Sequence, residues 1–220
     1  MSSLAGILPP GVALAEWTDT VEPPPLLPAE AALAASPSLG RRRELRASRA
    51  CARLALARLG VAPAPVLRGP DREPIWPEGV VGSITHCPGY CAAAVARRGA
   101  VAAIGIDAEE HAPLPDGVLR KVALDGEREW LRGHRGDATC WDRLLFSAKE
   151  SVFKAWFPLT RAWLGFHDAA VSFRPGSGAF SACLLVPGPV VAGGRLGTLE
   201  GRYVVADGRA LTAVVVPAAG

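Results

Sequence analysis

Lysine is nearly missing from this chain. Of 24 Lys and Arg residues only three are lysine, Lys121, Lys149 and Lys154. A long apolar run is missing too: none reaches the roughly 18 residues that a transmembrane helix needs. The N-terminus MSSLAGILPPGVALAEW has no basic n-region and no uninterrupted apolar core, which argues against a secretion signal. Cysteine is sparse and odd in number, with five scattered residues, so a disulfide framework is not expected and a reducing cytoplasm is. Excess charge is also lacking. A net +3 over 220 residues is too small to argue for nucleic acid by itself. What remains is a globular composition, half hydrophobic and a fifth charged, long enough for one domain or two small fused halves.

The abundance of Ala, Arg, Gly and Pro points to a GC-rich genome, which favours arginine codons and makes each surviving lysine informative. The Pro-rich first 30 residues, with Trp17 and the alternating run VALAEW, read as an extended segment lying on the body. A helix is expected from Ser38. Leu45, Ala52, Leu56 and Leu59 mark one face, Arg42, Arg46, Arg49 and Arg53 mark another, and Gly60 ends it. VVGSITHC, YCAAAVA and AVAAIGID read as a strand meander. Residues 116–131 and 137–157 read as helices with Asp125 and Asp137 as N-caps. The C-terminal part returns to strands, closing with RYVVADGRALTAVVV, a hairpin with a DG turn. The resulting expectation is a pseudo-duplicated α+β protein, each half helices against a small antiparallel sheet.

Chemistry concentrates at three places. In GIDAEE, Asp107 and Glu109 are two apart, so in extended chain both carboxylates face one side. Such a pair repels unless a cation sits between, and Mg²⁺ suits it, although an acidic loop would read the same way. SAKESVFK adds Glu150 as a third carboxylate, flanked by Lys149 and by Lys154 one turn on, within an unusually apolar helix. An exposed Glu–Lys pair is the ordinary alternative, but carboxylate and flexible ammonium groups among Phe146, Phe153 and Trp156 suit a metal-bound pyrophosphate better. GSITHC offers Ser83, Thr85 and His86 at a strand end, and RRRELRASR offers arginines on a helix start that can hold phosphate or nucleic acid. Cys87 and Cys91 have loose metal spacing without partner histidines. No Ser or Cys nucleophile with a positioned His stands out.

Taken in order, RRRELRASRACA, EPIWPEGVVGSITHCPGYCAAAVA, IGIDAE and FSAKESVFKAW resemble the 4′-phosphopantetheinyl transferases, in their monomeric enterobactin-synthase-type (surfactin-type) branch, over roughly residues 9–186. The resemblance implies a pseudo-two-fold α+β fold with coenzyme A between the halves, here 1–103 and 104–220. It implies transfer of the phosphopantetheine arm to a serine of an apo-carrier protein, with release of 3′,5′-ADP. By the same resemblance Asp107, Glu109 and Glu150 match Mg²⁺ ligands, with Glu150 also the base. Lys149 and Lys154 match pyrophosphate contacts, Lys154 being the group that protonates the leaving ADP. Arg41, Arg49, Thr85 and His86 match 3′-phosphate and ribose contacts. Arg72 is placed at the adenosine end, although relatives often carry a lysine where this chain has Asp71. Implied partners are carrier domains of polyketide, nonribosomal peptide (siderophores included) or fatty-acid synthases, met by a cytoplasmic monomer with no nucleic acid and no membrane. Two rivals stand beside this: another Mg²⁺-dependent phosphotransfer or phosphohydrolase enzyme, and a non-catalytic nucleic-acid binder using Arg41–Arg53, which would show strongly salt-dependent binding.

Overall fold

The computed structural model describes residues 3–34 and 38–218. The N-terminal segment makes a 3₁₀ turn at Leu4–Ile7, strand β1 (Ala13–Thr18) and a second 3₁₀ stretch at Pro28–Ala34. Helix α1 (Leu39–Arg58) begins where the Ser38 hydroxyl accepts the Arg41 N–H, and Gly60, at φ +70°, turns the chain away from its end. A two-residue pair, β2 (Leu67–Arg68) with β3 (Pro74–Ile75), closes the Pro/Gly loop. Then β4 (Val80–Cys87) and β5 (Tyr90–Arg97) form a hairpin, and β1 pairs along the other edge of β5. The buried side of α1 (Ala47, Cys51, Ala52, Ala55, Leu56) packs with Ala93, Val95 and Val80 of this three-stranded sheet.

The next strand, β6 (Val101–Glu110), departs from the expected meander. It does not return along β5. It crosses to a second sheet, where it pairs antiparallel with β12 (Arg209–Pro217). The reason lies in its burial: residues 103–108 of β6 are all buried, so the strand needs cover on both faces, which a hairpin partner alone cannot give. One side receives α4. On the other, the edge of β6 abuts β4, whose side chains stand in for a ladder: Ser83 Oγ accepts the Ile106 N–H at 3.1 Å and Thr85 Oγ1 accepts the Ala108 N–H at 3.0 Å. These two hydroxyls join the sheets.

Three helices follow: α2 (Val118–Val122), α3 (Asp125–Gly133) and α4 (Trp141–Thr160). The single helix expected over 116–131 is broken at Ala123–Leu124, and Asp125 is a helical residue rather than the N-cap. Glu127 accepts the Leu124 N–H at 2.7 Å. Asp137 likewise does not cap α4; its carboxylate accepts the Trp141 indole N–H at 2.8 Å. Strands β7 (Ala169–Arg174), β8 (Ala179–Leu184), β9 (Val190–Val191), β10 (Gly194–Arg195) and β11 (Thr198–Ala206) come next. The large sheet runs β6-β12-β11-β8-β7. Its β11–β12 hairpin turns at Asp207-Gly208, both at positive φ, as the DG signal requires.

The result is an α+β protein of two antiparallel sheets, each carrying one 20-residue helix. Gly105 sets how closely α4 lies on β6. A Cβ there would stand 1.8 Å from the Ser151 carbonyl oxygen and 2.7 Å from the Ala155 nitrogen. Only glycine lets the two backbones touch, and that contact brings the turn Glu150–Lys154 against Asp107. Ser147 and Thr212 hydroxyls, 2.9 Å apart and buried, pin the same helix to β12.

Candidate active site

A cleft of about 1160 Å³ opens where the two sheets meet, walled by α1, the 68–76 loop, β4, the end of β6 and the C-terminal half of α4. Its two ends differ in charge.

At the α1 end, the basic face is sorted by the N-terminal segment. Arg43 pairs with Asp19 and Glu22, Arg46 with Glu22, and Arg53 with the fully buried Glu30, whose oxygens also accept the Leu27 and Val66 N–H groups. Three arginines of this face are therefore tied to the N-terminal segment rather than evenly solvated. Arg41, Arg42 and Arg49 line the cleft instead. Arg49 is 6% exposed, yet its Nε has no partner. Burial pulls its pKa down, with Glu30 opposing. Arg49 therefore borders the cleft with a buried guanidinium nitrogen that has no hydrogen-bond partner. His86 is exposed on the cleft wall, and Arg72, at φ +68°, lines the far side beside Arg68. Thr85 requires a correction: it is 2% exposed, turned away from the cleft, and its hydroxyl bonds to Ala108 and Asp107. Alternation along β4 is the cause, since His86 faces outward and its neighbour must face in.

At the α4 end, Asp107 is 5% exposed. Its Oδ1 accepts from Lys154 Nζ at 2.7 Å and from Thr85 at 3.3 Å, while its Oδ2 is buried with no partner. Lys154 also donates to the Ile106 carbonyl at 3.1 Å. Glu109 accepts from Arg143 at 2.8 Å. Burial raises the Glu109 pKa, with Asp107 adding to the rise and Arg143 opposing it. Burial also raises Glu150; Lys154 opposes, and Asp107 and Glu109 push further up. The three carboxylates thus share one field, and Glu109, Glu150 and Lys154 line one cleft. Among the described residues they do not form a closed ligand cluster, because Asp107 and Glu109 turn part of their carboxylates to Lys154 and Arg143. An orphaned buried carboxylate oxygen beside two carboxyls of raised proton affinity nevertheless suits the holding of a cation. Hard oxygen donors of this kind suit Mg²⁺.

Lys149 is the second correction. It does not reach the cleft. Its ammonium is buried against Glu127 at 2.8 Å and donates to the Phe166 and Ala169 carbonyls at 2.6 and 3.0 Å. Five residues at about 100° each leave Lys149 about 140° around the helix from Lys154, on the opposite flank. There it borders a smaller cavity of about 290 Å³, walled by Glu150, Phe153, Leu164, Phe166 and the exposed Trp163.

Sequence reading misses Arg143, although it stands seven residues before Glu150 and so on the same helical stripe. It also misses Glu73, which pairs with Arg161 at 2.6 Å across the cleft mouth, and Trp76. The Trp76 indole donates to the Gly82 carbonyl, and a Cβ at Gly82 would stand 2.8 Å from its ring.

Comparison with known proteins accords with this geometry. Residues 29–96 match the model of the 4′-phosphopantetheinyl transferase N-terminal domain, and residues 103–191 that of the 4′-phosphopantetheinyl transferase superfamily. The chain is 52% identical over 206 residues to the 4′-phosphopantetheinyl transferase Svp of Streptomyces mobaraensis, covering 92% of this chain and 84% of that protein. It is 49% identical over 201 residues to PptT of Mycobacterium tuberculosis, covering 89% and 88%. Enterobactin synthase component D of Salmonella typhimurium is more distant, 37% identical over 141 residues, 61% of this chain and 57% of that protein. The chain belongs to the 4′-phosphopantetheinyl transferase superfamily and is an enzyme that moves 4′-phosphopantetheine from coenzyme A to carrier proteins.

Proposed function

We propose that the transfer is divided between the two ends of the cleft. The half spanning residues 1–103 holds the 3′-phosphate and adenosine of coenzyme A, and the half spanning 104–220 holds the pyrophosphate and performs the chemistry. The observation that carries this reading is one continuous cleft with a buried arginine, Arg49, whose Nε has no partner, at one end and Glu150 with Lys154 at the other. Arg41, Arg49 and His86 hold the 3′-phosphate, and Arg72 stands at the adenosine end. The smaller cavity beside Glu150 receives the pantetheine arm along Phe153 and Trp163.

Asp107, Glu109 and Glu150 are the residues that would hold Mg²⁺; when bound, the ion neutralises charge on the pyrophosphate. The remaining chemistry belongs to the chain. Glu150 takes the proton of the carrier serine as the serine oxygen bonds to the β-phosphorus; burial raises its proton affinity toward what a base needs. The bond from that phosphorus to the bridging oxygen breaks, and the oxygen leaves on 3′,5′-ADP. Lys154, on the face of α4 shared with Glu150, donates to that oxygen as charge grows on it.

Acceptors are apo-carrier domains of polyketide, nonribosomal peptide or fatty-acid synthases, docking on apolar surface beside α4 and the Gly117–Lys121 region. The enzyme works in the cytoplasm as a monomer. Among the described residues no helix is long and apolar enough to cross a membrane. Incubation with coenzyme A, Mg²⁺ and a panel of apo-carriers, followed by intact-mass measurement, tests this: one phosphopantetheine should be gained on a carrier serine. Gain on no carrier, or turnover of coenzyme A without one, would overturn it.

A further inference from the structure

The chain leaving β6 is sewn to the first turn of α4. The Cys140 N–H donates to His111 Nε2 at 2.9 Å, and Asp142 accepts the Leu114 N–H at 2.8 Å. Arg143 completes the seam with all three guanidinium nitrogens. Nε donates to the Ala112 carbonyl at 2.9 Å, Nη2 to the Pro113 carbonyl at 3.0 Å, and Nη1 to Glu109 Oε2 at 2.8 Å. The Arg143 side chain is 16% exposed and that of Glu109 24%, so this is a partly buried fork rather than a surface ion pair.

We infer that Arg143 is the positioning residue of the metal site, holding Glu109 in the one orientation that leaves its other oxygen, Oε1, for a divalent cation. The inference rests on the reading that Glu109 helps to hold that cation. Among the described residues Glu109 Oε1 has no recorded hydrogen bond, whereas Oε2 accepts from Arg143 Nη1. A glutamate has three rotatable bonds, and on the last residues of a strand little else fixes them. Three anchored guanidinium nitrogens do. A purely electrostatic role predicts the opposite sign, since a nearby positive charge repels a metal ion. Here that charge already faces Glu109 and two carbonyl dipoles, so orientation outweighs repulsion. Lysine cannot reproduce the effect, because one ammonium cannot hold three acceptors in a plane.

The test uses Arg143→Lys and Arg143→Gln in the full chain. Mn²⁺ uptake in the presence of coenzyme A is followed by loss of the free-ion electron paramagnetic resonance signal, and coenzyme A affinity is measured separately by calorimetry in EDTA. Both variants should bind Mn²⁺ about 10-fold or more weakly, the scale for losing a partner that orients a metal ligand. Coenzyme A affinity in EDTA should stay as in the wild type. Unchanged Mn²⁺ binding in both variants, or tighter binding in Arg143→Gln with none in Arg143→Lys, overturns the inference. So does an equal loss of coenzyme A affinity, or loss of fold in both variants, since either makes Arg143 a general structural residue. A wild-type protein that takes up no Mn²⁺ overturns the metal reading itself and this inference with it.

Discussion

The two flanks of α4 make opposite use of the same residue type. On one flank Lys149 is shut away with Glu127, two carbonyls complete its hydrogen bonds, and Glu127 in turn accepts the Leu124 and Val171 N–H groups. On the other flank Lys154 is about a quarter exposed, touches Asp107 at the cleft and shares that carboxylate with an oxygen left unpaired. The saturated flank is architecture: it ties α3, β7 and the 166–169 turn to the helix. The unsaturated flank is where the proposed chemistry lies, because Asp107 keeps an oxygen without a partner there. Charge does not distinguish the lysines. Satisfaction does.

The largest expected effect breaks the saturated flank. Lys149→Ala leaves Glu127 buried without its cation and should cost about 3–5 kcal/mol in denaturant unfolding. An apolar double variant, Glu127→Leu with Lys149→Met, should recover little, because four backbone groups would lose partners with it. Near wild-type stability in either would erase the contrast. On the other flank, Lys154→Ala should lower kcat by about 10²-fold, the scale of one positioned electrostatic donor, with a smaller loss of coenzyme A affinity and a drop in melting point, less than that of Lys149→Ala, because buried Asp107 loses a cation that is itself about a quarter exposed. Steady-state kinetics beside calorimetry separates these; weakened binding with unchanged kcat would make Lys154 a binding group only.

The same comparison extends to α1. Arg49→Gln should weaken coenzyme A by about 1.5–3 kcal/mol, the worth of hydrogen bonds to a charged group, with little change toward dephospho-coenzyme A. Arg53→Gln, which opens the pair with buried Glu30, should instead lower stability without that discrimination. Equal losses toward both ligands would reject the Arg49 assignment. The smallest effect concerns thiols. Burial pushes the Cys51 thiol up to about 12, and Cys87 and Cys91 up to about 11. A folded-state pKa above the unfolded one gives stability that is complete below the unfolded thiol range, near 8.5, and is lost as pH rises through those values. The protein should therefore weaken on the alkaline side. Iodoacetamide at about pH 8 should tag the exposed Cys183 and spare the three buried thiols until unfolding, read by peptide mass.

Much of this was legible in the residues. Ser38 and Gly60 bound α1 as read, the DG turn closes β11–β12, and the order of motifs points to the family. That Asp107, Glu109, Glu150 and Lys154 come near one another was legible because strand and helix periodicity fixes which side chains share a face. The misreadings have one origin. Thr85 and Lys149 each sit one residue from a cleft-facing neighbour, and their own partners, Ala108 for one and Glu127 with Phe166 and Ala169 for the other, lie 17 to 23 positions away in sequence. Arg143 was invisible for the same reason: a lone arginine early in an amphipathic helix says nothing until Ala112 and Pro113 come to meet it.

The sequence by itself determined the local grammar: where most helices and strands run, which alternate residues align, and that one carboxylate, Glu150, and two lysines sit on one helix. The tertiary structure decided which of those groups are satisfied. It carried β6 to the second sheet, let α4 touch it at Gly105, and placed Glu127 beneath one lysine and an open cleft before the other. Periodicity depends on neighbours along the chain and can be read there, whereas burial and hydrogen-bond satisfaction depend on groups that only folding brings together.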